Sequence, residues 1–342
     1  MRVCQVLCAA GPVDAVTNQA FAWRRRFQAW GWSGEDYVAN LAPGVTPPQL
    51  RPLDELPGDG RVVLHYSGHA HGLEAVTGPG TLLVSHNITP ARYFWAYQPV
   101  DAARCTLAQD QLAGLARAAG SVAGVSAFNA GELRKLSGRD AEVIPLLFER
   151  SALPAPGPGP PPGPPTVLFV GRLAPHKRQD LVIRAFARYR RGQPDARLVL
   201  VGTSLNDEFE TELRRLGDEL APGAVRLETL GISSEQLADH YRSADAFLCL
   251  SEHEGFCIPL LEAFHFGIPV VARNAGAVGE VAGDAGVLLG AEDDVATAGE
   301  LLSIVIADPE LRSELRERGR RRLEAYEPEG AALKMRGAIE SL

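Results

Sequence analysis

The sequence predicts an α/β protein built from two doubly wound, Rossmann-like domains that face a cleft. The chain has 342 residues, of which 46% are apolar, so it can form two cores of ordinary size. Short apolar runs alternate with helical patterns along both halves, which is typical of parallel strands covered on both faces. A proline-rich segment separates the halves.

Proline places the boundary between the two predicted domains. Residues 152–165 contain eight of the chain's 25 prolines. Proline lacks a backbone N–H, so this segment is expected to be extended and stiff rather than helical. We therefore predict domains at 1–150 and 166–325, joined by a linker at 151–165. A helix is expected over 326–342, beyond the second sheet, and its packing against the first domain is left open.

Each half shows its own series of strand-like runs. In the first half they lie near 2–8, 61–66, 81–86, 121–126 and 141–145. In the second half they lie at Thr166–Val170, Arg197–Val201, 225–230, 246–250 and 269–272, and helical patterns occupy 178–191, 207–220, 234–243 and 258–266. Ligands of such sheets bind at the carboxyl ends of the strands, so the predicted site lies in the cleft.

Composition excludes several classes of function. The formal net charge is −8, with acidic and basic residues interspersed, which disfavours a nucleic-acid partner. No apolar run reaches the roughly 18 residues of a membrane span. Five scattered cysteines without a CxxC pattern indicate free, mostly buried thiols, and a cytoplasmic location is expected. The basic residues 24–26 are interpreted as a solvated helix face, with membrane docking as the alternative.

The strongest candidate site follows the predicted strand at 246–250. Here Glu254 and Gly255 precede a helix whose first turn contains Pro259. Backbone N–H groups at a helix start are oriented towards anionic oxygen, and glycine allows close approach. We expect Glu254 to accept hydrogen bonds from sugar hydroxyls and Glu262, one turn into the helix, to bind a ribose diol. The alternative is a capped surface helix with two solvated glutamates. The donor-binding candidates of this segment are Gly255, Phe256, Cys257, Ile258 and Glu262.

A second motif, residues 171–177, leaves the strand Thr166–Val170. Arg172 and Lys177 are expected to converge on a diphosphate, because guanidinium and ammonium groups both bind phosphate oxygens. Alone, this motif is equally consistent with a basic helix start. Together with Glu254 it is specific, since both motifs lie at strand ends of one predicted sheet.

These residues resemble the retaining glycosyltransferases of family 4, which share the two-domain GT-B architecture. Glu254 and Glu262 match the E-x7-E signature of that family, and Gly171, Arg172 and Lys177 match its GR-x4-K signature. Segments 14–18, 86–90 and 126–133 are similar to a bacterial mannosyltransferase-like subgroup. The resemblance covers nearly the whole chain apart from the proline-rich linker.

The resemblance implies a role for each residue. Arg172 and Lys177 would bind the donor diphosphate, Glu262 the ribose and Glu254 the donor sugar. His86 would face that sugar across the cleft. The implied catalytic set is Glu254, His86, Arg172 and Lys177, with no metal and no cofactor besides the nucleotide sugar. The expected partners are therefore a GDP- or UDP-hexose and a glycan or specialised metabolite as acceptor, and the oligomeric state is left open.

Two positions depart from the family pattern. Val13 stands where a glycine is expected, and Cys257 occupies a position often held by glycine, so any contact of Cys257 would be made through its backbone N–H. His65, His69 and His71 form a local cluster that could hold zinc, although loop residues near the acceptor are the preferred interpretation.

Three other functions compete with transfer. A nucleotide-sugar epimerase or a phosphorylase shares the GT-B architecture, and a non-catalytic subunit would keep the fold without turnover. A dinucleotide-dependent oxidoreductase is disfavoured because no G-x-G-x-x-G follows a predicted strand.

Overall fold

The computed structural model describes residues 1–11, 14–41, 47–204, 206–290 and 293–342. The chain divides into two units. The first comprises Met1–Trp95, Pro99–Leu147 and Tyr326–Leu342, and the second comprises Ala96–Gln98 and Phe148–Ala325. Val13, where the family pattern predicts glycine, lies outside the described residues.

The first unit contains a parallel sheet flanked by helices. Its strands are β1 Val3–Ala9, β2 Asp36–Asn40, β3 Leu50–Pro52, β4 Arg61–Tyr66, β5 Thr81–Ser85, β6 Ser121–Gly124 and β7 Glu142–Val143. They pair in the order β3-β2-β1-β4-β5-β6-β7, all in parallel. The helices are α1 Ala15–Ala29, α2 Leu73–Val76, α3 Pro99–Ala118 and α4 Ala127–Ser137.

The second unit repeats this architecture with a six-stranded parallel sheet. Its strands are β8 Thr166–Val170, β9 Arg197–Val201, β10 Val225–Glu228, β11 Ala246–Cys249, β12 Val270–Arg273 and β13 Gly286–Leu289. The order is β10-β9-β8-β11-β12-β13. The helices are α5 Gln179–Arg190, α6 Asp207–Leu220, α7 Ser234–Arg242, α8 Ile258–His265, α9 Val278–Ala282, α10 Val295–Ala307 and α11 Pro309–Glu324. Two doubly wound sheets confirm the predicted fold class.

The last helix, α12 Pro328–Glu340, belongs to the first unit. Met335 and Ile339 on α12 are fully buried. Glu329 forms an ion pair with Arg26 at 3.0 Å, and the Lys334 ammonium donates to the carbonyl of Val143 at 3.1 Å. These contacts attach the end of the chain to α1 and β7.

The proline-rich linker is attached to the second unit. The carbonyl of Ala155 accepts two hydrogen bonds from the Arg242 guanidinium, at 2.8 and 3.0 Å. His265 Nε2 lies 2.9 Å from the carbonyl of Pro154. An extended proline-rich segment offers its own carbonyls few hydrogen-bond donors, so side chains of α7 and α8 donate to them.

The interpretation of the basic segment 24–26 as a solvated helix face fails at Arg24, whereas Arg25 is exposed. Arg24 is not solvated, because its guanidinium forms an ion pair with Asp36 at 2.6 Å and only 11% of the side chain is exposed. It also donates to the backbone carbonyl of Val3. In the ranges that the structure describes, no helix is long and apolar enough to cross a membrane.

Candidate functional site

The site lies at the point where the second sheet changes direction. From β8 the chain proceeds to β9 and β10 on one side, and β11 then pairs on the other side of β8. In open α/β sheets, ligands bind outside the carboxyl ends of the strands at such a switch point. Both predicted motifs begin there, since residues 171–177 follow β8 and residues 252–262 follow β11.

Three contacts join the two motifs. Lys177 Nζ donates to Glu254 Oε2 at 2.6 Å, and both side chains are largely buried, with 17% and 7% exposed. The Glu252 N–H donates to the carbonyl of His176 at 2.9 Å. Arg178, which also binds Asp180, forms an ion pair with Glu252. The structure therefore brings Lys177 and Glu254 together in one site, as both motifs predicted.

The Lys177 ammonium stays charged in this buried position. Burial pulls the pKa of Lys177 down, but Glu254 and the neighbouring Cys257 and Cys249 raise it more, so the net direction is upward. A buried ion pair repays its desolvation only when the geometry is good. Removing either partner alone would leave one uncompensated charge in the interior.

A glycine that the sequence analysis did not single out holds Glu254 from the other side. Gly276, after β12, has a φ of +59°, and a Cβ there would lie 2.3 Å from the carbonyl oxygen of Glu254. The N–H of Ala277 donates to that oxygen at 2.9 Å. Only glycine permits this approach of two backbones. A glycine shortly after a predicted strand was the signal available in the sequence.

Helix α8 opens next to this pair, as expected. Pro259 occupies its first turn, and Cys257 is the N-cap in a left-handed conformation with φ of +76°. Phe256 is buried and Gly255 is half-buried. Ile258, the first residue of α8, is also half-buried. The N–H groups of a helix's first turn have no partner within the helix, so this opening can bind an anion.

Glu262 contacts a residue that the sequence analysis missed. The Tyr241 hydroxyl donates to Glu262 Oε2 at 2.7 Å, and the Tyr241 ring stacks on Phe266 with centroids 5.1 Å apart. Burial raises the pKa of Glu262, and the hydrogen bond from Tyr241 offsets part of that rise. Tyr241 lies 21 residues before its partner, so no local spacing could have indicated the pair.

Arg172 departs from the expected convergence of the two basic residues. Its side chain is exposed, and no hydrogen bond or ion pair joins its guanidinium to any residue in the described ranges. Its backbone carbonyl accepts from Gln179 Nε2 at 2.8 Å, which anchors the loop. Burial, followed by Lys177 and Arg172, lowers the pKa of His176 to about 2. Arg172 thus lies close enough to act electrostatically, without contacting Glu254.

One group of side chains in the site has the composition of a soft-metal site. Sγ of Cys249, a carboxylate oxygen of Glu254 and Sγ of Cys257 lie within 4.8 Å of one another. Two thiols and a carboxylate can bind zinc. However, the Lys177 ammonium already neutralises Glu254 there, so a metal ion would have to displace it. All five cysteines are free thiols, and Cys105 is the half-buried one.

His86 lies in the first unit, directly after β5. The backbone N–H of His86 donates to the carbonyl of Tyr66 at 2.8 Å. Its ring Nε2 lies 2.9 Å from Nδ1 of His65. Burial lowers the pKa of His86 to about 4, so the ring is neutral. Its predicted position opposite the donor sugar stays a prediction.

The loop interpretation of the histidine cluster holds for His69 and His71 but not for His65. His65 lies on β4 and is fully buried. His69 and His71 pack edge to face, with ring centroids 5.1 Å apart. In the part of the chain that the structure describes, neither belongs to a group of three potential metal ligands. The interpretation of His65 as a loop residue near the acceptor was therefore wrong, because its ring points into the sheet's buried polar network.

Comparison with known proteins finds a family match in the second half of the chain. Residues 156–322 match the sequence pattern of the family described as Glycosyl transferases group 1. The matched segment lies within the second unit. The match covers both motifs, Gly171–Lys177 and Glu252–Glu262, and confirms the resemblance that those motifs predicted.

Similar proteins include glycosyltransferases of Mycolicibacterium and Acidothermus. A GDP-mannose-dependent α-(1-6)-phosphatidylinositol monomannoside mannosyltransferase of Mycolicibacterium smegmatis is 36% identical over 123 residues, or 34% of this chain and 31% of that protein. A D-inositol 3-phosphate glycosyltransferase of Acidothermus cellulolyticus is 34% identical over 157 residues, or 44% of this chain and 35% of that protein. These matches span about a third of the relatives' lengths.

Solved structures of glycosyltransferases share the fold. The structure of sucrose-phosphate synthase from Thermosynechococcus elongatus aligns with a TM-score of 0.77 at 19% identity, covering 100% of this chain and 99% of the other. HepE of Anabaena, solved with UDP and glucose, aligns with a TM-score of 0.74 at 14% identity, covering 99% and 100%. The predicted GT-B fold is confirmed.

The buried Lys177–Glu254 ion pair can be tested through stability. Lys177→Met should lower the free energy of unfolding by about 3–5 kcal/mol, because it leaves the Glu254 carboxylate buried without its partner. The double variant Lys177→Met with Glu254→Gln should lose much less, since no lone charge remains. Urea unfolding of wild type, Lys177→Met, Glu254→Gln and the double variant measures the coupling free energy between the two side chains. Additive losses would show that the two side chains do not depend on each other.

The difference in stability between Glu262→Gln and wild type should favour the variant more at pH 7 than at pH 4. The raised pKa of Glu262 means that the folded state binds its proton more tightly than the unfolded chain does. The contribution of Glu262 to the free energy of unfolding therefore falls as pH rises through that range, and glutamine removes this loss. Thermal melting across this pH range checks the sign, and an unchanged difference between the two proteins would contradict it.

Proposed function

We propose that this chain is a retaining glycosyltransferase that moves a hexose from a nucleoside diphosphate to an acceptor hydroxyl. The observation that carries this proposal is the Lys177–Glu254 pair at the switch point of the second sheet. It sets a cation for a diphosphate and a carboxylate for sugar hydroxyls side by side. The glycosyl transferases group 1 match of this segment supports the assignment.

The groups around the Lys177–Glu254 pair can stabilise a departing diphosphate. Negative charge grows on that group as the bond to the sugar breaks, and fixed positive groups stabilise it. Lys177 and the opening turn of α8 supply such groups, and the exposed guanidinium of Arg172 is available to close over the phosphates. These groups neutralise the diphosphate without a metal ion, so transfer is expected to continue in the presence of a chelator.

The ion pair has a second role in this proposal. While the site holds no donor, Lys177 and Glu254 satisfy each other. When the diphosphate arrives, Lys177 gains phosphate oxygens as partners, and Glu254 becomes able to accept hydrogen bonds from the sugar. Glu262, held by Tyr241, binds the ribose hydroxyls. Binding and orientation are thereby coupled through one contact.

The chemistry follows a same-face displacement. The acceptor oxygen forms a bond to the anomeric carbon on the face from which the diphosphate leaves. The bond between that carbon and the phosphate oxygen breaks, and a phosphate oxygen takes the acceptor's proton. Glu254 and neighbouring carbonyls stabilise the oxocarbenium-like sugar, and His86 contacts it as the family resemblance implies. The products are a glycoside of retained configuration and a nucleoside diphosphate.

The names of the similar proteins reduce the number of candidate donor sugars. Several are GDP-mannose-dependent mannosyltransferases, which favours GDP-mannose, with a UDP-hexose second. The acceptor is a glycan or a specialised metabolite, and the inositol phosphate in the relatives' names makes that group the first to include in a panel. We place the enzyme in the cytoplasm, where its five free thiols stay reduced.

Calorimetry with GDP, UDP, ADP and dTDP should show one preferred nucleotide, with GDP expected first. Arg172→Met should weaken that affinity about 10- to 100-fold, the range for a lost charge-assisted hydrogen bond. Arg172 suits this test because its exposed side chain has no partner in the described chain to disturb. Lys135→Met, an exposed lysine on α4, is the control and should change nothing. Equal affinity of Arg172→Met and wild type would remove Arg172 from the site.

Retention is tested by the anomeric configuration of the product. NMR of the glycoside formed from an α-linked donor should show an α linkage, because attack and departure share one face. A β linkage would refute the mechanism. Reactions with and without acceptor separate the competing functions, since an epimerase would convert the donor alone, whereas a non-catalytic subunit would leave the donor intact even with acceptor present.

A further inference from the structure

A buried chain of hydrogen bonds leads from an ion pair to His86 inside the first unit. Arg24 contacts the carboxylate of Asp36, and Gln5 Nε2 donates to Asp36 Oδ1 at 2.8 Å. Gln5 Oε1 lies 2.8 Å from His65 Nε2, and His65 Nδ1 lies 2.9 Å from His86 Nε2. Gln5 and His65 have no exposed surface.

Acceptors on one side of Gln5 determine its orientation. Its Nε2 lies 2.9 Å from the carbonyl of Ala20 and 2.8 Å from Asp36 Oδ1, and both of these oxygens accept hydrogen bonds. The amide nitrogen must therefore face them, since it carries two protons and the amide oxygen carries none. The oxygen is left facing His65 Nε2, which has to be the protonated nitrogen of that ring.

The same reasoning passes through His65 to His86. Burial lowers the pKa of His65 well below its usual range, and His86 and Arg24 lower it further, so the ring is neutral. A neutral imidazole with a proton on Nε2 has a lone pair on Nδ1. His86 Nε2 must then donate to that lone pair. Because His86 is also neutral, its own Nδ1 carries a lone pair.

We propose that Gln5 and His65 are positioning residues that hold His86 as the Nε2–H tautomer, so that His86 Nδ1 can only accept a hydrogen bond from a substrate hydroxyl. This inference rests on the proposed function, in which His86 contacts the donor sugar. The fixed tautomer makes His86 selective for a sugar position that carries a hydroxyl group, because only a hydroxyl can donate a proton to Nδ1. A fluorine or hydrogen at that position would leave the lone pair unpaired.

The sheet explains why the chain of hydrogen bonds is fixed. Gln5 on β1 is the register partner of Asp36 on β2, and β1 pairs with β4 on its other side, where Leu7 is the register partner of His65. Three neighbouring strands thus carry the polar groups into a dry interior. A buried polar network with every partner satisfied tolerates one arrangement, since each alternative leaves a group unpaired.

NMR of protein labelled with ¹⁵N at histidine measures the tautomers directly. Signals of His65 and His86 are assigned by their loss in His65→Gln and His86→Gln. In wild type at pH 7, both rings should show a protonated Nε2 and an unprotonated Nδ1. A protonated Nδ1 on His86 would overturn the proposal, whatever the activity of the protein.

Gln5→Leu removes the acceptor that determines the tautomer of His65. His86 should then populate both tautomers, and kcat/KM for transfer should fall about tenfold, roughly the effect of losing one neutral hydrogen bond. Affinity for the nucleoside diphosphate without its sugar should not change. If Gln5→Leu folds poorly, the tautomer of His86 measured in the wild-type protein still decides the proposal.

Gln19→Leu provides the matched control. Gln19 is also a buried glutamine, on α1, and its amide makes two hydrogen bonds with the backbone of Leu147, at 2.8 and 2.9 Å. Its loss should lower stability without altering the histidine signals or transfer. If Gln5→Leu mixed the tautomers while kcat/KM stayed at the wild-type value, the positioning role would be refuted. If wild type transferred no sugar, the proposed function would fail, and the NMR result would still decide the tautomer.

Discussion

A single buried ion pair, Lys177–Glu254, is the contact on which the candidate site depends. Two loops that are far apart in sequence, after β8 and after β11, meet only because their strands are neighbours at the switch point. Burial makes that contact demanding, since each charge loses its water and needs the other in good geometry. The Arg178–Glu252 pair and the Gly276 backbone hold the loops in the position that the contact requires. A diphosphate would enter a site whose charges are already arranged.

The first unit shows a second use of buried polarity. Its sheet also changes direction beside its first strand, between β1 and β4, and there the buried groups are an amide and imidazole rings. Neutral hydrogen bonds determine which nitrogen carries a proton, whereas an ion pair determines where charge lies. Each unit by itself therefore holds a different kind of prearranged polar contact.

Local patterns in the sequence were sufficient to predict much of the fold and of the candidate site. Apolar runs predicted β8 and β9 with their observed bounds, and the spacing of Glu254 and Glu262 placed both on the correct loop and helix. Strands β2, β3 and β13 were missed, and β3 is only three residues long. β2 begins at Asp36, whose burial depends on Arg24, and β13 is only four residues long. The contact of Tyr241 with Glu262, the close approach of Gly276 to Glu254 and the burial of His65 could not be predicted, because each depends on partners that only the folded sheet brings together.

A crystal structure with the preferred nucleotide sugar bound tests the central claim most directly. The account predicts a phosphate oxygen within about 2.7–3.2 Å of Lys177 Nζ, the Arg172 guanidinium turned onto the same diphosphate, and a sugar hydroxyl on Glu254. A diphosphate bound away from the loops after β8 and β11, with the Lys177–Glu254 contact undisturbed, would contradict it.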